Sequence, residues 1–234
     1  MQVLTVLGRP GAEALLFSRL LAARVRGSVV SVPAAAAAEM AHSTHLGGEL
    51  SRAVGMQAGT LGEPLPNSLV WPLIQPRLER AARPGESGAI VLHGFPRNLD
   101  QLRMLQQAGL RAPTVVHLAL DRHEAERRVA ERRVCAACGG AMYPLPKAEG
   151  ASTAVLYAHH AEDATDCDSP DPRQAEADQP AVVHHRLDAY DKYTVPLLER
   201  LRGSREVTLH EVDVRVQADE AWAAIEAACG LHDP

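Results

Sequence analysis

The sequence predicts an α/β fold: a five-stranded parallel sheet flanked by helices, interrupted by a small inserted lobe. Three observations carry this. Short, almost wholly apolar runs recur along the chain, as strands buried on both faces require. Each is followed by a segment with apolar residues at helical spacing. One stretch, Val134 to Gln179, breaks the rhythm; it is rich in Gly, Pro, Asp and Ala and holds three of the four cysteines.

"VLTVL" (Val3–Leu7) is the first strand, broken by "GRPGA". "EALLFSRLLAARVR" (Glu13–Arg26) is a helix whose last turn is basic, which suits the helix dipole. "SVVSV" (Ser28–Val32) is the second strand. Glu39–Met56 is helical in pieces, Gly62–Ser68 is a loop, and a further helix runs to Arg83. "AIVLH" (Ala89–His93) is the third strand, and Asn98–Gly109 a helix stopped by glycine. Thr114–Leu120 is the fourth strand and His123–Arg133 a charged helix. After the lobe comes the long helix "AVVHHRLDAYDKYTVPLLERL", which Pro196 is expected to bend or split. "EVTLHEVDV" is the fifth strand, and "ADEAWAAIEAAC" closes the chain.

Alternation of strand and helix gives a parallel sheet, and ligands of such sheets sit beyond the carboxyl ends of the strands. Three loops meet there: Gly8–Ala12, His93–Arg97 and Asp121–Arg122. Arg97 therefore leaves a strand end facing the crevice. A planar guanidinium there suits a phosphate or a carboxylate, with a structural ion pair as the plainer alternative.

Composition narrows the rest. Hydrophobic residues make up 46% of the 234, enough for a core, but aromatics only 3%, which argues against a base-stacking platform. A net charge of -5 argues against a nucleic-acid coat or an anionic-membrane binder. Only two lysines occur, Lys147 and Lys192. The N-terminus lacks the charged region of a secretory signal, and no apolar run reaches the ~20 residues that span a bilayer. The expectation is a soluble, cytoplasmic protein with reduced thiols.

Several stretches together resemble one family. "GFPRNLDQ" (Gly94–Gln101), "VVHLALDRHEAERRVAERRVCAACGGAMY" and "HHRLDAYDKYTVPLL" resemble, in order and rough spacing, the signatures of the adenylate kinases, and "VLGRPGA" falls where their phosphate loop lies. The resemblance covers nearly the whole chain. It implies a P-loop nucleoside monophosphate kinase fold. The core would span 1–133 and 177–234, with an AMP-binding lobe inserted at about 31–68 and a lid at 134–176. The implied activity is reversible phosphoryl transfer from magnesium-ATP to AMP. Position by position, Gly8, Pro10 and Gly11 belong to the phosphate loop. Gly94 would belong to the nucleotide-binding set, Arg97 would hold the AMP phosphate, and Gln101 would read the adenine edge. Arg128 and Arg132 would face the ATP phosphates, Arg186 would clamp the transferring group, and Tyr143 lies in the nucleotide-facing lid. Positioned arginines suit this chemistry, because the transition state spreads negative charge over the phosphoryl oxygens.

The phosphate loop departs from the family. Its third glycine is Glu13 here, its lysine is Ala14, and Leu15 follows. The glycines of such loops let backbone N–H groups wrap the phosphates, and the lysine reaches the outer oxygens. Arg9 is one substitute cation. The threonine, aspartate and arginine of the AMP lobe are Val32, Ala34 and Ala37, and the aspartate that supports magnesium is His93. The expectation is a pseudoenzyme or nucleotide-binding scaffold, with an active divergent nucleoside monophosphate kinase as the alternative. AMP or another adenine nucleotide is the expected ligand, with magnesium only if the protein is active. "CAACGG" (Cys135–Gly140) is half of a structural zinc knuckle, completed by Cys167 with His159, His160, Asp168 or Asp171; the alternative is a pair of free thiols. Cys229 is expected in the core.

Overall fold

A computed structural model of the chain describes residues 2–42, 44–56, 64–81, 83, 89–109, 114–135, 141–144, 157–159, 172–216 and 218–231. β1 (Gln2–Gly8), β2 (Ser28–Ser31), β3 (Ala89–His93), β4 (Thr114–Ala119) and a late strand, β9 (Thr208–Asp213), form one sheet in the order β2-β3-β1-β4-β9. Every pairing in it is parallel. All five strands therefore end on the same edge, and the turns after β1, β3 and β4 meet there.

Alternation along the strands explains the layers. Val3, Ile90 and Leu92 point to one side and pack with Leu50, Leu73, Ile74 and Phe95. Leu4, Val6 and Val91 point to the other and pack with Phe17, Leu21, Leu187 and Ile225. The first layer is built from α2 (Val32–Ala41), α3 (His45–Met56), α4 (Asn67–Ala81) and α5 (Leu99–Gln107). The second uses α1 (Ala14–Arg24), α6 (Arg122–Glu131), α7 (Pro180–Ala189) and α9 (Ala218–Ala228). A third cluster seats Leu197, Leu198 and Leu201 of α8 (Val195–Arg202) against Leu7 and Val115.

Two segments differ from expectation. The alanine run after β2 is helical from Val32, earlier than the sequence reading placed it. Ser31 supplies the cap by accepting the Ala34 N–H at 3.4 Å, and Pro33 sits in the first turn, where its missing N–H costs nothing. The lobe holds four short strands, β5 (Arg133–Cys135), β6 (Ala141–Pro144), β7 (Tyr157–His159) and β8 (Pro172–Arg173), in an antiparallel sheet ordered β7-β6-β5-β8.

The break expected at Pro196 takes a specific form. Between α7 and α8 the helix widens to a π-type segment over Tyr190–Thr194. Proline cannot supply the hydrogen bond of a continuing α-helix, and the wider turn absorbs that loss without breaking the helix. The segment carries Tyr190, 2% exposed, under the sheet edge. Its hydroxyl lies 3.0 Å from His117 Nε2, and His117 Nδ1 lies 3.0 Å from Glu211 Oε1. Glu211 also accepts from Arg202 at 2.8 Å, which with the His117 contact holds its carboxyl down to about 2. Burial pulls the His117 imidazole below its usual range, so it is neutral: Nδ1–H donates to Glu211 and Nε2 accepts from Tyr190.

Tyr190→Phe removes that donor and leaves a buried ring nitrogen without a partner. It should lower unfolding free energy by about 1–3 kcal/mol with the far-ultraviolet spectrum unchanged, as read from urea denaturation.

Candidate functional site

The turn after β1 is tightly specified. A Cβ on Gly8 would lie 2.8 Å from the Ala12 methyl, so only glycine fits there. Gly11 has φ +85, and a Cβ on it would sit 3.0 Å from the Ala125 carbonyl oxygen. Ala12 is fully buried and donates its N–H to Arg9 O at 3.0 Å, closing the turn. Pro10 is buried beside it. Glu13 then takes φ 60, ψ 31 as the N-cap of α1 and gives that helix no side-chain cap. A left-handed backbone at a residue with a Cβ costs about 1–2 kcal/mol. The loop thus keeps a glycine's conformation at a position filled by glutamate.

Arg9 does not reach into this turn. Its Nη1 donates to Leu120 O at 3.0 Å and its Nη2 pairs with Asp191 Oδ1. Its guanidinium lies 5.0 Å over the Tyr190 ring. Asp191 is shared with Arg122, 3.2 Å away, and Arg122 also pairs with Asp188 at 2.8 Å and Glu126 at 3.1 Å.

The loop after β3 carries Gly94 at φ +74, then Phe95, Pro96 and Arg97. Arg97 is half-buried; its N–H donates to Gln101 Oε1 at 2.6 Å and its carbonyl accepts from Thr194 Oγ1 at 3.2 Å. Burial pulls its guanidinium below the usual arginine range, opposed by Tyr190. The Arg97 loop is thus tied through its backbone to α5 and to the π-type segment. Gln101 is 1% exposed, and its Nε2 donates to Asn67 Oδ1 at 2.9 Å. Both of its polar ends thus brace α5 against α4 and the Arg97 loop. Reading a base edge would require Gln101 to exchange one of these bonds.

The arginines of the second half divide. Arg128 donates to Glu124 at 2.9 Å and to Val214 O at 2.7 Å. Arg132 forks onto the fully buried carboxylate of Asp178, with Nε at 2.7 Å. Arg186 lies 3.6 Å from the same carboxylate and donates to Ala177 O at 3.0 Å. Arg132 and Arg186 are thus brought together on Asp178, while Arg128 faces the start of the segment after β9. Tyr143 and Cys135 lie on strands whose side chains fall outside the described residues, and Cys138 and Cys167 fall outside them altogether. Among the described residues no group of His, Cys, Asp and Glu could hold a metal ion. None of their helices is long and apolar enough to cross a membrane. Cys229 packs half-buried against the α1–β1 side of the core, where burial raises its thiol.

No protein-family model matches the chain. It is similar to the adenylate kinase of Methanocella arvoryzae, 28% identical over 183 residues that cover 75% of this chain and 78% of that protein. The adenylate kinase of Archaeoglobus fulgidus is 28% identical over 172 residues, 71% of each chain. That of Limosilactobacillus reuteri is 26% identical over 172 residues, 70% and 71%. These likenesses are distant and are consistent with the adenylate kinase family.

The sequence resemblance places His93 at the position where an aspartate would support magnesium. The site does not suit that task. His93 Nδ1 lies 2.9 Å from Ser31 Oγ. The ring is held neutral, its pKa lowered to about 4 by burial and then by Arg97 and Arg19. A buried neutral ring tied to a serine offers no carboxylate to a hydrated cation. The long-range partners of Arg9 were not legible beforehand; Asp191 lies 182 residues away in sequence.

Two predictions follow from the turn and the histidine. Glu13→Gly should stabilise the fold by up to about 1 kcal/mol by relieving the left-handed backbone, whereas Gly11→Ala should destabilise it by more than 1 kcal/mol; thermal denaturation distinguishes them. For His93 the unfolded chain binds the proton at about 6.5 and the folded chain only at about 4. Unfolding free energy should therefore fall as pH drops through that window, by up to about 3 kcal/mol, and His93→Gln should flatten the slope.

Proposed function

We propose that this protein binds an adenine nucleotide on an adenylate kinase fold, favours the monophosphate, and transfers phosphoryl groups weakly or not at all. The observation that carries the reading is the turn Gly8–Leu15. It presents a glutamate at the helix N-terminus, then two alkyl side chains, while its one cation is committed to Asp191.

The magnitudes favour loss of triphosphate binding. A missing charge-assisted contact forfeits about 1.5–3 kcal/mol. One like-charge pair near 4 Å adds a cost on the order of 4 kcal/mol at an effective dielectric of 20. Together these exceed a thousandfold in affinity. Groups that stabilise a transition state as a unit lose nearly all their effect when one is removed. Arg97, by contrast, remains a half-buried fork at the end of β3, suited to a single phosphate. Arg132 and Arg186 are already gathered on Asp178, so an incoming nucleotide would have to compete with that carboxylate.

A coupled assay with ATP, AMP and magnesium at micromolar protein should show no ADP above background. Turnover above about 1 s⁻¹, the low end for working enzymes, would overturn the reading in favour of an active divergent kinase. AMP should raise the melting temperature and ATP should not. Glu13→Gly combined with Ala14→Lys should strengthen ATP binding at least tenfold, measured by calorimetry.

A further inference from the structure

A line of hydrogen bonds runs from the β9 edge of the sheet to the floor of the crevice. Arg202 of α8 donates to Glu211 of β9 at 2.8 Å. Glu211 Oε1 lies 3.0 Å from His117 Nδ1 on β4, and His117 Nε2 lies 3.0 Å from the Tyr190 hydroxyl. The parallel register of β4 and β9 sets His117 directly beside Glu211. Beyond Tyr190 the line meets the loops. The Arg9 guanidinium lies over the Tyr190 ring, Asp191 pairs with Arg9 and Arg122, and Thr194 donates to Arg97 O at 3.2 Å. The π-type segment thus holds residues that follow β1, β3 and β4, and His117 holds the segment.

The proton count decides what this line can do. A neutral imidazole has one donor and one acceptor, and both are used here. A second proton must go on Nε2, toward which the Tyr190 O–H already points. Two donors then face each other where His117 is 7% and Tyr190 2% exposed. Either the hydroxyl turns away or the ring moves. The charged groups around His117 are Glu211 on β9, Arg202 on α8 and Arg9 after β1; Tyr190 faces it from the π-type segment, and β1 sets Leu7 beside it. Glu211, held at about 2, stays ionised in mild acid, and burial pushes the Tyr190 phenol up. Both therefore keep one form while His117 titrates.

We propose that His117 is a proton-linked positioning residue: neutral, it seats Tyr190 and closes the π-type segment on the crevice; protonated, it lets that segment open while the sheet stays folded. The sign follows from linkage. Burial keeps the His117 imidazole below its usual range in the closed form and opening removes that burial, so acid favours the open form. The effect is at most about tenfold per pH unit. The inference does not rest on nucleotide binding at Arg97.

The test pairs two measurements on the full chain. Histidine-ring NMR follows the titration of His117, assigned by the signal lost in His117→Gln. Hydrogen exchange, corrected for intrinsic rates, follows the protection of the Tyr190–Val195 amides. Both are run in a His93→Gln background, which removes the other lowered imidazole. Protection of the segment should fall about threefold or more across the His117 titration, and the segment should exchange faster than β1 at every pH. Glutamine accepts from Tyr190 without titrating, so His117→Gln should flatten the response. Glu211→Gln removes the charge that favours the imidazolium, so the NMR and exchange midpoints should move together to lower pH. Protection that stays constant while His117 titrates overturns the proposal. So does a fall that survives His117→Gln, or equal protection of the segment and β1, which makes the line a structural bond alone. Where His117→Gln does not fold, Glu211→Gln decides: midpoints that part company overturn the coupling.

Discussion

The ion pair between Arg9 and Asp191 joins the turn after β1 to the helix that follows the lobe. It links residues 182 positions apart, and the face of Tyr190 supports the same guanidinium from below. Arg122 approaches Asp191 from β4's side, so one carboxylate knits three elements at the carboxyl edge of the sheet. With the pair formed, the turn is held closed by Ala12 N–H to Arg9 O, and the Arg9 guanidinium is committed to Asp191 and Leu120 O. The charge arrangement of the whole crevice follows from that commitment.

Charge in the crevice is accordingly uneven. On the β1 side an acid stands at the start of α1, where the helix dipole would otherwise welcome an anion. On the β3 side Arg97 is half-buried beside Tyr190, and on the β2 side Arg19 and Arg77 line one hollow. Toward the lobe, Asp178 gathers Arg132 and Arg186. The parallel scaffold stands while the turn after β1 presents a glutamate followed by two alkyl side chains. Scaffold and site separate in this way because the sheet is held by aliphatic packing that does not depend on the loop's chemistry.

Much of the scaffold was legible in the sequence. The runs Val3–Leu7, Ala89–His93 and Thr114–Leu120 declared buried strands because each face of the sheet is covered. Strand ends predicted the meeting of Gly8, His93 and Arg97. The start of α2 was missed because an alanine run has no apolar periodicity, although Ser31 and Pro33 are start signals. At the site, Arg97 and the altered phosphate loop were visible as residue types in place. The internal use of Gln101 was not, since Asn67 comes from another helix. Nor were the Arg9–Asp191 and Tyr190–His117 pairs, which depend on side chains meeting across the sheet edge.

The widened segment Tyr190–Thr194 sets the rotational phase of everything that follows it. Each residue of an α-helix turns the next by about 100°. Shortening the segment by a single residue would swing α8 by that angle, so that Leu198, Glu199 and Arg202 would take the places of Leu197, Leu198 and Leu201 against the sheet. The bulge therefore works as a phase-setter: it lets Tyr190 sit under the crevice and, about two turns later, lets the leucines find the floor of the sheet.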